Sequence, residues 1–149
     1  MPLQTGTPAP DFTLKDQDMN DVSLSSLKGK KVVLLFYPMD FSPVCTDEAC
    51  EFGPKKSELA GDDGVMLGVS CDSPFTHAAF KKAHNIEFDL LADPTREMAK
   101  AYDMWAGLEP FNCTKRGTVV IDPDGNIAHW SEVELGTKRE FSDLVAAAN

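Results

Sequence analysis

The run KKVVLLFY, residues 30–37, constrains the fold most strongly, because it is apolar on both faces and rich in β-branched and aromatic side chains. A strand with one face in water alternates apolar and polar residues, whereas this run does not. Pro38 ends the run. The pattern predicts a central β-strand in a sheet that is covered on both sides.

Strand and helix patterns alternate along the rest of the chain. A second buried strand is predicted at residues 65–71, and a helix is predicted over residues 42–59. Ser42 is a good N-cap for that helix, and Pro43 suits its first position. The alternation, without a repeat or a linker, predicts one α/β domain over residues 1–149, with a mixed sheet and helices on both faces.

The C-terminal residues carry a helix-start signal. Residues 137–149 are amphipathic, and Thr137 and Glu140 have the spacing of a capping box. The sequence therefore predicts a last helix that opens at Thr137.

Charge and hydropathy argue against several classes of partner. The chain has 24 acidic and 14 basic residues, a net charge of −10, whereas nucleic acids and anionic membranes attract basic surfaces. No apolar run approaches the length of a membrane-spanning helix, and the N-terminus lacks the pattern of a signal peptide. We therefore expect a cytoplasmic protein without a nucleic acid or membrane partner. Its four cysteines are not expected to form a structural disulfide framework.

The predicted position of Cys45 at the start of a helix suggests a reactive thiol. As the third residue of the predicted helix it lies beside main-chain N–H groups that lack acceptors and beside the positive end of the helix dipole. That environment favours the thiolate, which is the nucleophilic form. Asp40, Asp47 and Glu48 act in the opposite direction, so a cation must come from elsewhere in the fold. Arg116, one of three arginines, immediately precedes a predicted strand and is a good candidate.

Three of these residues fall into a known pattern. Pro38, Ser42 and Cys45 match, in order and spacing, the Pro-x3-Thr/Ser-x2-Cys signature of peroxiredoxins, which are thiol-dependent peroxidases with a thioredoxin-type fold. KRGTVVID resembles the family segment that supplies the active-site arginine, here Arg116, and APDFTL resembles the family's N-terminal strand. The resemblance runs from residue 8 to near the C-terminus and implies a thioredoxin-like mixed sheet.

The resemblance implies a role for each matched residue. Cys45 would be the peroxidatic nucleophile, which hydrogen peroxide or an alkyl hydroperoxide oxidises to a sulfenic acid. Arg116 would stabilise the thiolate and orient the peroxide, and Ser42, where threonine is commoner, would hydrogen-bond the peroxide. Pro38 would shield the sulfur from water, and Glu48 would hold the arginine. No metal or organic cofactor is implied.

Cys50 follows Cys45 by five residues, a spacing similar to that of the bacterioferritin comigratory protein (PrxQ) subgroup, in which the second cysteine is the resolving one. On an ideal helix this offset separates the two Cα atoms by about 8.7 Å. A disulfide needs less than about 7 Å, so the first turns of the helix would have to unwind. The implied cycle ends with reduction by a thioredoxin-like dithiol protein.

Several alternatives stay open at this point. If Cys50 is a core thiol, the protein is a one-cysteine peroxidase that is resolved by an external thiol, and some segments lean toward that group. Cys113 is a weaker resolving candidate, and Cys71 is expected to be a core residue. From another class, the reactive thiol could serve a non-catalytic redox sensor or holdase. Peroxiredoxins occur as monomers, dimers and larger assemblies, and we expect a monomer or a homodimer.

Overall fold

The computed structural model describes residues 3–107 and 112–149. Within them, seven strands form one sheet: β1 Thr13–Lys15, β2 Asp21–Ser23, β3 Val32–Phe36, β4 Val65–Ser70, β5 Asp89–Ala92, β6 Arg116–Ile121 and β7 Ile127–Val133. The α-helices are α1 Pro43–Phe52, α2 Lys56–Ala60, α3 Pro74–His84, α4 Glu97–Ala101 and α5 Phe141–Ala148. No helix of this described part is long and apolar enough to cross a membrane.

The sheet has the strand order β2-β1-β5-β4-β3-β6-β7. Its centre is parallel, since β3 pairs with β4 and β4 with β5 in that sense. The flanking pairs are antiparallel: β6 runs against both β3 and β7, and β1 runs against both β2 and β5. The predicted mixed sheet is therefore confirmed.

Side chains of β3 alternate between two hydrophobic cores. Val33 and Leu35 belong to the core that α1, α2, α3 and α5 cover. Val32, Leu34 and Phe36 belong to the core on the opposite face, which α4 covers together with the 3-10 turn that follows β2. All five residues of the strand are buried, as the apolar run predicts, and helices lie on both faces of the sheet.

The predicted helix over residues 42–59 is interrupted. It begins as expected, with Ser42 at the N-cap and Pro43 as the first residue, but α1 ends at Phe52. A 3-10 turn, Gly53–Lys55, separates it from α2. Pro54 has no N–H to continue the helical hydrogen bonds, and its ring clashes with the preceding turn of a regular helix.

The predicted capping box at the C-terminal helix is wrong. α5 begins at Phe141, and its N-cap residue, Glu140, makes no side-chain cap bond. Thr137 lies in a turn, where its main-chain N–H donates to the Glu134 carbonyl. The main-chain N–H of Arg139 donates to a carboxylate oxygen of Glu48, 91 residues away in sequence. This long-range bond overrides the local capping signal.

The register of the central strands brings separate parts of the chain to one edge of the sheet. Phe36 at the end of β3 pairs with Gly117 near the start of β6. Arg116 therefore lies beside the chain as it leaves β3 and turns into α1. The parallel strand β4 ends at the same edge, because Phe36 also pairs with Val69.

Candidate active site

Cys45 lies in the first turn of α1, and only 2% of its surface is exposed. Nη2 of Arg116 donates a hydrogen bond to its Sγ at 3.2 Å. The main-chain N–H groups of Val44 and Cys45 have no acceptor within the helix, since they precede its first hydrogen bond. A sulfur in this place lies near both a guanidinium and the positive end of a helix, and both favour the thiolate.

Arg116 is the first residue of β6 and is 1% exposed. Its Nε donates to the carbonyl oxygen of Leu135 at 2.9 Å, and its Nη1 donates to Oε1 of Glu48 at 2.5 Å. These two bonds fix the plane of the guanidinium, so that Nη2 remains directed at Cys45. The structure thus brings Arg116, Glu48 and Cys45 together.

Glu48 bridges two arginines. Its Oε1 accepts from Arg116 Nη1 and, at 2.9 Å, from Arg139 Nη2, while its Oε2 accepts from Arg139 Nε at 2.9 Å. Burial acts to raise the pKa of Glu48. The hydrogen bonds and charge of Arg139, with the charge of Arg116, outweigh burial and hold the pKa below its ordinary value. Glu48 is therefore an anion that is neutralised by arginines rather than an uncompensated negative charge beside Cys45.

Arg139 is the site residue that sequence reasoning missed. It is 6% exposed, and besides Glu48 it donates to the carbonyl oxygens of Gly117 at 2.6 Å and Phe36 at 3.0 Å. It thereby ties the segment before α5 to β6, β3 and α1. A charge count could have found it, because a Cys45 thiolate and the Glu48 carboxylate call for two cations in a chain with three arginines.

Ser42 occupies the N-cap position without capping the helix. Its backbone is extended and its carbonyl oxygen accepts from the N–H of Thr46, but its side chain makes no cap bond. Among the described residues its buried Oγ has no hydrogen-bond partner. Buried hydroxyls are normally paired, so this one remains available to a bound group. Pro38, partly exposed, lies just beyond β3.

The other nearby carboxylates do not place an uncompensated charge beside Cys45, as the sequence suggested they would. Asp47 is exposed to solvent, which screens its charge. Asp40 is buried, but its carboxylate is engaged by Tyr37 and His77.

The remaining cysteines differ in burial. Cys50 is exposed, so the alternative in which it is a core thiol is wrong. Cys113 is buried, and burial raises the pKa of its thiol, with the charge of Cys45 acting in the same direction. Cys113 therefore lies near Cys45 but is a poor nucleophile at neutral pH. Cys71 is partly exposed rather than a core residue, and its Sγ lies 3.3 Å from Oγ1 of Thr114.

A buried thiol at a helix N-terminus, hydrogen-bonded by a guanidinium and set on a mixed sheet with helices on both faces, defines a thiol-based redox protein of thioredoxin-like fold. Residues 5–130 match the model of the AhpC/TSA family, and the chain belongs to that family.

Similar proteins carry peroxiredoxin names. Peroxiredoxin Bcp of Bacillus subtilis (strain 168) is 40% identical over 140 residues, which cover 91% of this chain and 89% of that protein. The crystal structure of peroxidoxin BcpB from Mycobacterium tuberculosis matches with a TM-score of 0.83 at 29% identity, covering 98% of this chain and 96% of that one. The crystal structure of a reduced 2-Cys peroxiredoxin of Plasmodium vivax matches with a TM-score of 0.85 at 31% identity, covering 97% of this chain and 79% of that one. The resemblance to peroxiredoxins of the bacterioferritin comigratory protein subgroup is confirmed.

We expect Glu48→Gln to destabilise the protein by about 3 kcal/mol at neutral pH, because it leaves two buried guanidinium groups without their counter-charge. The native pKa of Glu48 is depressed, so its stabilising effect is complete above the ordinary value of 4.5 and is lost as pH falls through the native pKa. Urea unfolding of both proteins across a pH series should therefore show a difference in stability that shrinks below pH 4.5.

Glu51→Gln is the matched control, since Glu51 lies on the same helix but pairs with the exposed Lys138 at the surface. Its effect should be small at every pH. A Glu48→Gln protein as stable as the parent, or a difference that does not change with pH, would contradict the assigned charge of Glu48.

Proposed function

We propose that the protein is a thiol peroxidase that reduces hydrogen peroxide and alkyl hydroperoxides at Cys45. The observation that carries the proposal is the 3.2 Å hydrogen bond from Arg116 Nη2 to the Cys45 sulfur in the first turn of α1. The family and the names of its relatives support the same activity. With 2% of Cys45 exposed, a small peroxide suits the site better than a bulky oxidant.

In the first step the Cys45 thiolate attacks one oxygen of the peroxide, forming an S–O bond as the O–O bond breaks. The sulfur is oxidised to a sulfenic acid, and the other oxygen leaves as hydroxide or alkoxide and takes up a proton. The Arg116 guanidinium and the free N–H groups of the helix start stabilise the charge on the leaving oxygen. The unpaired hydroxyl of Ser42 orients the peroxide, and Pro38 limits the access of water.

In the second step Cys50 attacks the sulfenic sulfur of Cys45, an S–S bond forms, and water leaves. Exposure of Cys50 supports this role, because a dithiol reductant can reach the disulfide from outside. In the closed structure both cysteines belong to one continuous helix, α1, so its first turns must unwind before the bond can form.

The start of α1 is suited to such unwinding. Ser42 provides no side-chain cap bond, so the N–H groups of the first turn lack the acceptor that a capped helix start would give them. Phe41, just before it, has a φ of 68°, a left-handed backbone that costs a bulky residue roughly 1–2 kcal/mol. Opening the turn releases that strain.

A thioredoxin-like dithiol protein then reduces the disulfide in our proposal and restores both thiols. A one-cysteine cycle, in which an external thiol attacks the sulfenic acid directly, is the alternative that the experiment on Cys50 below distinguishes. Cytoplasmic location and a monomeric or homodimeric state stay predictions from the sequence.

We expect Cys45→Ser to lower peroxide turnover by about 1,000-fold or more, because the serine hydroxyl is not ionised at neutral pH. The measurement is peroxide consumption by the purified protein with dithiothreitol as reductant. Cys71→Ser is the matched control, since the Cys71 thiol is hydrogen-bonded to Thr114 and not to Arg116. The Cys71→Ser protein should retain activity.

Two results would contradict the proposal that the protein is a peroxidase acting through Cys45. If Cys45→Ser consumed peroxide as fast as the parent, the reactive thiol would have to be another cysteine. Oxidation of the parent once, without further turnover in excess dithiothreitol, would favour a redox sensor or holdase.

One equivalent of peroxide should convert the reduced parent protein to a form with a Cys45–Cys50 disulfide, detected by peptide mass spectrometry without reduction. Cys50→Ser should stop at the sulfenic acid of Cys45 and lose turnover with thioredoxin, because the thiol that resolves the sulfenic acid in our proposal has been removed. Cys113→Ser, which removes the raised-pKa thiol near Cys45, should still form the disulfide.

A Cys45–Cys113 disulfide in the parent would transfer the resolving role to Cys113. A persistent sulfenic or sulfinic acid in the parent, with turnover supported by external thiols, would establish the one-cysteine cycle.

A further inference from the structure

A buried cluster of titratable side chains lies at the sheet edge that carries Cys45, yet the proposed reaction does not use it. Asp40 Oδ1 accepts from the Tyr37 hydroxyl at 2.6 Å, and Asp40 Oδ2 lies 2.7 Å from Nδ1 of His77. The main-chain N–H of Asp40 donates to Oδ2 of Asp72 at 2.8 Å. Asp40 is thus fastened to the residue that follows β3, to the chain after β4 and to α3.

The polar side chains of this cluster are hydrogen-bond partners of one another. The ligand atoms of Asp40, Asp72 and His77 lie within 4.8 Å of one another, a spacing also compatible with a metal ion. The Asp72 oxygen, however, also accepts from the Ser70 hydroxyl at 2.6 Å, and both oxygens of Asp40 are engaged. Burial, with the charge of Asp40, raises the pKa of Tyr37 well above its ordinary value, so that its hydroxyl remains a donor. The cluster is therefore a closed hydrogen-bonded network.

One proton is shared between His77 and Asp40. Nε2 of His77 lies 3.0 Å from the carbonyl oxygen of Leu91, which only accepts, so Nε2 carries a hydrogen. Nδ1 faces Oδ2 of Asp40, and a neutral ring would present a lone pair to a carboxylate there. A proton must therefore lie between Nδ1 and Oδ2, whichever of the two atoms it is bonded to. Tyr37 and Asp72 are the other titratable groups that face this pair.

The network fastens the chain immediately before the reactive helix. Asp40 precedes Phe41, whose left-handed backbone is strained and whose ring packs on Phe80 with centroids 5.0 Å apart. Ser42 and Pro43 follow and begin α1. Because the anchored residue adjoins the strained one, release of Asp40 would let the backbone at Phe41 relax and withdraw the N-cap from its place.

We propose that Asp40 and His77 are positioning residues that keep residues 38–42 closed and thereby set the balance between the two steps of the cycle. This rests on the proposed function. The closed segment aligns Ser42 and the helix N–H groups for the peroxide, whereas the attack by Cys50 requires the segment to open. Weakening the link should therefore slow the first step and speed the second.

The test compares three variants in rapid-quench experiments that follow loss of the Cys45 thiolate and appearance of the disulfide separately. Asp40→Ala removes the anchor, and His77→Gln removes its bond to Asp40 while a side-chain amide can still donate to the Leu91 carbonyl. We expect each to slow oxidation by peroxide about tenfold and to speed disulfide formation about tenfold. Asp40→Asn can bond both Tyr37 and a neutral His77, and should remain within about twofold of the parent in both steps.

Asp93→Ala is the matched control for loss of stability. Asp93 is a buried carboxylate that accepts from the N–H groups of Met98 and Ala99 at the start of α4, so its removal weakens the fold without touching residues 38–42. Both rates should remain within about twofold of the parent.

Hydrogen exchange of the main-chain amide at residue 40, which donates to Asp72, gives a readout in the reduced proteins that needs no peroxide, and so separates this proposal from the proposed function. Exchange should be about tenfold faster in Asp40→Ala and His77→Gln, and unchanged in Asp40→Asn. Unchanged exchange in the first two variants would overturn the proposal. The proposal would also be overturned if Asp40→Ala or His77→Gln changed the rates of both steps in the same direction, as general destabilisation would. An Asp40→Asn protein that behaves like Asp40→Ala would overturn it too.

Discussion

Glu48 lies between two guanidinium groups, and most of the site depends on that arrangement. Arg116 is the first residue of β6, Arg139 lies in the segment before α5, and Glu48 belongs to α1. The buried carboxylate neutralises part of the arginine charge and fixes the direction in which Arg116 presents its remaining N–H to Cys45. Without Glu48 the two buried guanidinium groups would repel each other.

Sequence reasoning succeeded where the local signals and the fold agree. The apolar run gives the central strand, the Ser-Pro start places Cys45 in the first turn of its helix, and Arg116 precedes a strand that pairs beside it. It failed where a long-range contact overrides a local pattern. Arg139 was missed because a plausible capping signal placed it in a helix, whereas it lies before α5 and its main-chain N–H donates to Glu48. Nor could spacing show that the Ser42 hydroxyl leaves the helix uncapped.

The structure meets two opposing requirements with separate sets of bonds. The arginines and Glu48 hold the middle of α1 firmly against the sheet, with Phe52 and Ala49 buried behind it. The residues before the helix have a strained backbone at Phe41 and are anchored through Asp40. In the proposed cycle, the firm support keeps Cys45 oriented toward Arg116, and the strained start allows the helix to open after the sulfur has been oxidised.

The central claim is that the hydrogen bond from Arg116 to the sulfur of Cys45 makes that sulfur reactive toward peroxide. The most direct measurement is the second-order rate constant for oxidation of Cys45 by hydrogen peroxide, followed by stopped flow in the parent and in Arg116→Met. The rate constant should fall by about 100-fold or more in Arg116→Met, because the guanidinium no longer stabilises the charge that develops on the leaving oxygen. An Arg116→Met protein that is oxidised as fast as the parent would contradict the claim.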